Sequence, residues 1–100
     1  MPLYTFIMDY KGGTYISQVN ASSVKTACKE WAENLEVSEI ANFEIKGKEI
    51  LIREMKSKEP VALEGLENVW FVSALIFNNL AAINLIKTET PNNANPKSAI

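Results

Sequence analysis

Asn20-Ala-Ser-Ser-Val-Lys-Thr-Ala-Cys-Lys-Glu-Trp-Ala-Glu-Asn-Leu35 is the stretch whose reading decides the fold, because the apolar period of the chain changes there from two to about 3.6. Val24, Ala27, Cys28, Trp31, Ala32 and Leu35 recur at the three- and four-residue spacing that places side chains on one face of a helix. Lys25, Lys29, Glu30, Glu33 and Asn34 fall on the wet side. Ser22 or Ser23 is the expected N-cap, since a hydroxyl oxygen accepts one of the N–H groups that a helix start leaves unpaired.

Upstream, Leu3 to Tyr10 and Thr14 to Val19 are rich in β-branched and aromatic residues and flank Lys11-Gly12-Gly13. Glycine accepts the positive φ of a tight hairpin turn, so the spacing predicts two antiparallel strands. Tyr4, Phe6, Met8 and Tyr10 share one face of the first strand, and Leu3, Thr5, Ile7 and Asp9 the other. The helix is expected to lie across this hairpin and bury its Trp31 stripe.

Downstream, Ser38 suits the start of a single turn carrying Ile40 and Phe43. Lys46 to Lys58 reads as a helix with Ile50, Leu51 and Met55 inward, or as a strand over Glu49 to Glu54; its Lys, Glu, Met and Arg content favours the helix. Pro60 stops that segment, and Val61 to Leu63 follows as a short strand. Val69 to Phe77 is apolar on both faces, with Val69, Phe71 and Leu75 on one and Trp70, Val72, Ala74 and Ile76 on the other. Asn78-Asn79 marks a turn, and Leu80 to Thr88 returns antiparallel. The expected fold is α+β and two-layered: an antiparallel sheet of four to five strands with one or two helices on one face, in the order β-β-α-(α)-β-β. A single domain spans residues 1–88, and 89–100 is a polar tail.

The composition narrows the chemistry. With 100 residues and 47% apolar content the chain supports one core without disulfide or metal staples. A net charge of −2 offers no long-range attraction to nucleic acid or an anionic membrane, so neither is an expected partner. Met1-Pro2-Leu3-Tyr4 passes directly into strand-like sequence without a basic and apolar leader, and the lone Cys28 suits a reducing compartment, so a cytoplasmic location is expected. Val69 to Ile86 is interrupted by Ser73, Asn78, Asn79 and Asn84, too polar for a membrane span.

The absence of histidine removes the commonest general base and transition-metal ligand, so no catalytic residue, metal or cofactor is expected. Cys28 lies on the apolar stripe and reads as a small core residue. Asp9, Glu30, Glu33 and Glu36 read as solvated carboxylates. Lys11-Gly12-Gly13-Thr14 joins two strands, whereas a phosphate loop opens a helix. Lys46, Lys48, Arg53, Lys56 and Lys58 alternate with Glu44, Glu49, Glu54 and Glu59, the pattern of a solvated helix face.

The informative surplus is apolar. Helices on one side of the sheet leave its second face to be covered, and large apolar patches seldom stay in water. Trp70 and Phe71, with Tyr4 and Tyr15, are the candidate interface residues. The favoured function is a non-enzymatic protein-interaction module, with homodimerisation through the sheet as one form of it. The rival is a small ligand-binding domain or enzyme with a pocket between sheet and helix.

Tyr4-Thr-Phe-Ile-Met-Asp-Tyr-Lys-Gly-Gly-Thr-Tyr-Ile-Ser-Gln-Val19, followed by Ala21-Ser-Ser-Val-Lys-Thr-Ala-Cys-Lys-Glu-Trp-Ala32, resembles the N-terminal hairpin and helix of HicB-type antitoxins. The resemblance is confined to residues 3–35 and rests on a Gly-bearing hairpin and a helix with Ala and an aromatic on its stripe. It implies a sheet with a packed helix that binds a partner toxin. The chain lacks that family's Pro-Gly-Cys third strand and its DNA-binding tail. As a whole it has the look of a small bacterial immunity or accessory factor.

Overall fold

The computed structural model of the protein describes residues 2–88, so the tail read over 89–100 lies outside the described residues. Strands β1 (Leu3–Tyr10) and β2 (Gly13–Asn20) form the first hairpin, followed by helix α1 (Val24–Glu33), a 3-10 turn (Val37–Glu39) and helix α2 (Glu44–Ser57). A two-residue strand β3 (Val61–Ala62) precedes the second hairpin, β4 (Val69–Ile76) and β5 (Asn79–Thr88). All five strands join one antiparallel sheet in the order β2-β1-β5-β4-β3. The first and last long strands of the chain are therefore partners at the centre, and the architecture is the expected α+β.

Local chemistry explains the boundaries. Lys11 and Gly12 both take positive φ, 49° and 84°, the type I′ geometry whose twist matches two antiparallel strands. The turn is thus Lys11-Gly12, and Gly13 opens β2 as the partner of Tyr10. A Cβ at Gly13 would collide with the Tyr15 ring, which lies over it. The second hairpin turns on Phe77-Asn78, at φ 53° and 66°, one residue before the expected Asn78-Asn79. Asn79 instead opens β5, and its side-chain amide donates to the Phe77 carbonyl at 2.9 Å.

Helix α1 starts as the serines predict: the Ser23 hydroxyl accepts from the Thr26 amide at 3.2 Å. Residues 44–57 are helical, as their composition favours, with Gly47, Leu51 and Met55 buried. Gly47 is small because the Phe43 ring lies against it; a Cβ there would stand 3.2 Å from the ring. The end of α2 is held by α1: the Lys25 ammonium donates to the carbonyls of Met55 and Lys56 at 3.2 and 3.1 Å and also to that of Lys58. A cation among the last carbonyls satisfies acceptors that a helix end leaves free and opposes its negative dipole end.

Both helices lie on one face of the sheet, α1 against the β1–β2 hairpin and α2 against β4. That face is the core. Tyr4, Phe6, Met8 and Tyr10 of β1, Val72, Ala74 and Ile76 of β4, and Ala81, Ile83 and Leu85 of β5 are buried under Ala27, Cys28, Trp31, Phe43, Leu51 and Met55. Trp31 stacks on Phe6 with centroids 4.7 Å apart and planes 5° from parallel, and its indole N–H donates to the Ser17 hydroxyl at 3.0 Å. Tyr10 meets the edge of Phe43 at 5.3 Å and donates its hydroxyl proton to the Ile76 carbonyl at 3.2 Å. The polar tips of Trp31 and Tyr10 thus each have a partner, and among the described residues no fully buried side-chain nitrogen or oxygen is left unpaired.

Candidate functional site

Among the described residues no helix packs on the other face of the sheet. Residues directly opposite in an antiparallel ladder share a face, so the register defines what this side presents. One row crosses all five strands: Ile16, Ile7, Asn84, Phe71 and Val61. A second runs Gln18, Thr5, Ile86 and Val69, and Leu75 pairs with Leu80 near the second turn. Ile16, Val61, Leu75 and Leu80 are each more than half exposed. Ile7, Phe71, Val69, Ile86 and Ala82 are half-buried by their neighbours alone.

The rim is polar. Asp9 is the only charged residue on the strands of this face, and the Thr14 hydroxyl donates to its carboxylate at 2.7 Å. At the other end Gln18 donates to the Thr5 hydroxyl at 2.9 Å, which in turn lies 2.7 Å from that of Thr88. An apolar centre, a hydrogen-bonded rim and few charges are the composition of a protein interface. Asn84 is the exception: it sits midway along the central strand β5 within the apolar row, and its amide makes no hydrogen bond among the described residues.

The four residues singled out from sequence divide between the faces. Phe71 is on the open face. Tyr4, Tyr15 and Trp70 are on the helix-covered face, because Tyr15 pairs with Met8 and Trp70 with Leu85. Tyr4 is only 3% exposed and belongs to the core, so it is not available to a partner. Trp70 packs against it with centroids 6.2 Å apart. Ile7, Ile16, Val61, Asn84 and Ile86, which accompany Phe71, were not singled out; strand parity joined to the β1–β5 register is the signal that groups them.

The two edges of the sheet also differ. At the β4 edge, β3 pairs with Trp70 and Phe71, and the Lys58 ammonium donates to the Ser73 carbonyl at 2.8 Å. At the β2 edge no strand among the described residues pairs, and beside it lies an open cavity of about 260 Å³ lined by Thr14 to Ser17 and by Asn34, Leu35, Glu36, Glu39 and Ile40.

The titratable groups in the core are structural. Burial pushes the Cys28 thiol up to about 11, with nearby Lys25 pulling the other way, so the thiolate is suppressed. Burial also raises Tyr10, against a hydrogen bond to Asn79. Among the described residues no group of three or more His, Cys, Asp or Glu is placed to hold a metal ion, and no helix is long and apolar enough to cross a membrane. Compared with known proteins, the chain matches no family model, no curated protein and no solved structure.

Proposed function

We propose that the protein is a non-enzymatic interaction module of the cytoplasm that pairs two copies of itself through the open sheet face. The observation that carries this reading is the apolar row across all five strands, edged by polar residues and left uncovered by both helices. Strands spaced about 4.8 Å apart and rising about 3.3 Å per residue make the four long strands a patch of roughly 500 Å² in projection. Two such faces together bury on the order of 1,000 Å², the lower bound for a specific interface. Side-chain relief adds to that projected area.

Asn84 gives the pairing a centre. It lies on the middle strand near its midpoint, so a twofold axis through the face brings the two Asn84 amides together. Each amide then finds the donor and acceptor that a single copy does not supply, and a buried Asn pair of this kind fixes register at some expense of affinity. The rival reading, a small-molecule or catalytic pocket, finds among the described residues the cavity beside β2, which is smaller than the roughly 300–1,000 Å³ usual for ligand sites and lined by no buried charge.

Light scattering coupled to size exclusion, over a wide concentration range, tests the proposal. The expected result is a mass near twice 11.2 kDa that reverts to the monomer in Phe71→Lys. A strict monomer at every concentration overturns it.

A further inference from the structure

We propose that the β2 edge is a second docking site, taking an extended peptide segment of a partner protein with a Lys or Arg side chain in the cavity beside it. This surface is separate from the open sheet face.

The backbone is ready for an added strand. In the type I′ hairpin the closing pair Tyr10–Gly13 exchanges both ladder bonds, and bonded pairs then alternate through Met8–Tyr15 and Phe6–Ser17. Thr14, Ile16 and Gln18 therefore aim their N–H and C=O groups away from β1, and among the described residues no strand lies on that side of β2. The same rule applied to β4 turns Ser73 outward, where Lys58 in fact caps its carbonyl. Natural edges are blunted by charge, proline, bulges or shortness. β3 is two residues long and β4 has Lys58, whereas β2, Gly-Thr-Tyr-Ile-Ser-Gln-Val-Asn, runs eight residues in unbroken register with no charge and no proline.

The cavity supplies the side-chain selectivity. A residue of the added strand opposite Tyr15 or Ser17 points to the same side as they do, toward the cavity they line. Glu36 and Glu39 line its far wall on the connection between α1 and α2, and no cation is among the lining residues. Its size suits one side chain, and its charge suits a basic one. Main-chain bonds to a free edge with a pocket for alternate side chains is a general mode of peptide recognition.

The probe is a blocked peptide, Thr-Val-Lys-Val-Thr, titrated into the 15N-labelled full chain beside a control with Glu replacing Lys. Shifts and slowed exchange at the amides of Thr14, Ile16 and Gln18 are expected, with the Lys peptide bound about tenfold more tightly than the Glu peptide. Glu36→Gln with Glu39→Gln is expected to erase that preference, and Ile16→Pro, which removes an outward N–H together with one side chain of the open-face row, to abolish binding while the core amide spectrum is retained. Binding is expected to persist in Phe71→Lys, which separates this site from self-association through the open face. No change at those three amides by about 1 mM peptide overturns the proposal, as does equal binding of the two peptides. A concentration-dependent dimer that Ile16→Pro dissolves and Phe71→Lys does not overturns it in favour of a second copy at this edge.

Discussion

The two faces of the sheet are built from the same strands, yet they end in opposite states. On the covered face Phe6, Met8, Ile83 and Leu85 are fully buried beneath two helices. On the open face Ile7, Asn84 and Ile86 alternate with them along the same strands and keep access to solvent. The difference teaches that alternation is read by what packs on each side: a period of two only assigns residues to faces, and the helices decide which face becomes the core.

The largest expected effect follows from breaking the covered face. Phe6→Ala removes a fully buried ring that stacks on Trp31, and the rigid layer around it cannot close the gap. The expected loss is about 3–5 kcal/mol by urea unfolding, a large share of a typical domain's stability. The equivalent truncation across the sheet, Phe71→Ala, is expected to cost about 1 kcal/mol or less when measured on the monomer. Equal losses would mean that the open face is covered in solution by something already bound.

Alkali attacks the same buried layer. The Cys28 thiol is raised from 9.0 to about 11 in the folded protein, chiefly by burial. Below pH 9 both folded and unfolded chains hold the proton; above it the unfolded chain releases the proton first, so stability falls as pH rises toward 11. Two pH units correspond to about 2–3 kcal/mol on the scale of 1.4 kcal/mol per unit. Buried Tyr10 contributes in the same direction, so the difference between wild type and Cys28→Ala across this range isolates the thiol. A pH-independent difference would place Cys28 outside the core.

Between the helices the expected effect is smaller. Lys25→Met removes the ammonium that holds three carbonyls at the end of α2, and because Lys25 is partly exposed water replaces some of those bonds. A loss of about 1 kcal/mol is expected, with faster amide exchange confined to the last turn of α2.

How much of this was legible in the sequence depends on the range of the interaction. The hairpins, the Trp31 stripe and the Ser23 cap are set by neighbours a few residues apart, and all appear, with the second turn one residue ahead of its Asn78-Asn79 signal. The pairing of β1 with β5 joins residues at opposite ends of the chain, and no local signal announces it. The interface candidates illustrate the consequence. Trp70 and Phe71 are adjacent in one strand and therefore face opposite ways, so parity alone separates them, but which of the two meets solvent depends on where α2 packs. Aromatic size drew attention to Tyr4 and Trp70, which pack together on the covered side, and away from Asn84, whose meaning rests entirely on its place in a five-strand row.

Asn84 is also where the contrast between the faces is sharpest and the expected change in fold stability smallest. In a single copy its amide stands half-exposed on the central strand, so Asn84→Leu is expected to alter monomer stability by no more than about 0.5 kcal/mol. Its effect on pairing differs in kind. Two Leu side chains at a twofold centre need no hydrogen-bond partner, so the dimer is expected to form at lower concentration while losing the feature that sets its register, visible as broadened or doubled amide peaks for Ile7, Phe71 and Ile86. Asn84→Asp brings two like charges together and is expected to dissociate the dimer at neutral pH. If neither substitution moves the self-association curve, the twofold axis does not pass through this face, and the apolar row must be accounted for by a different partner.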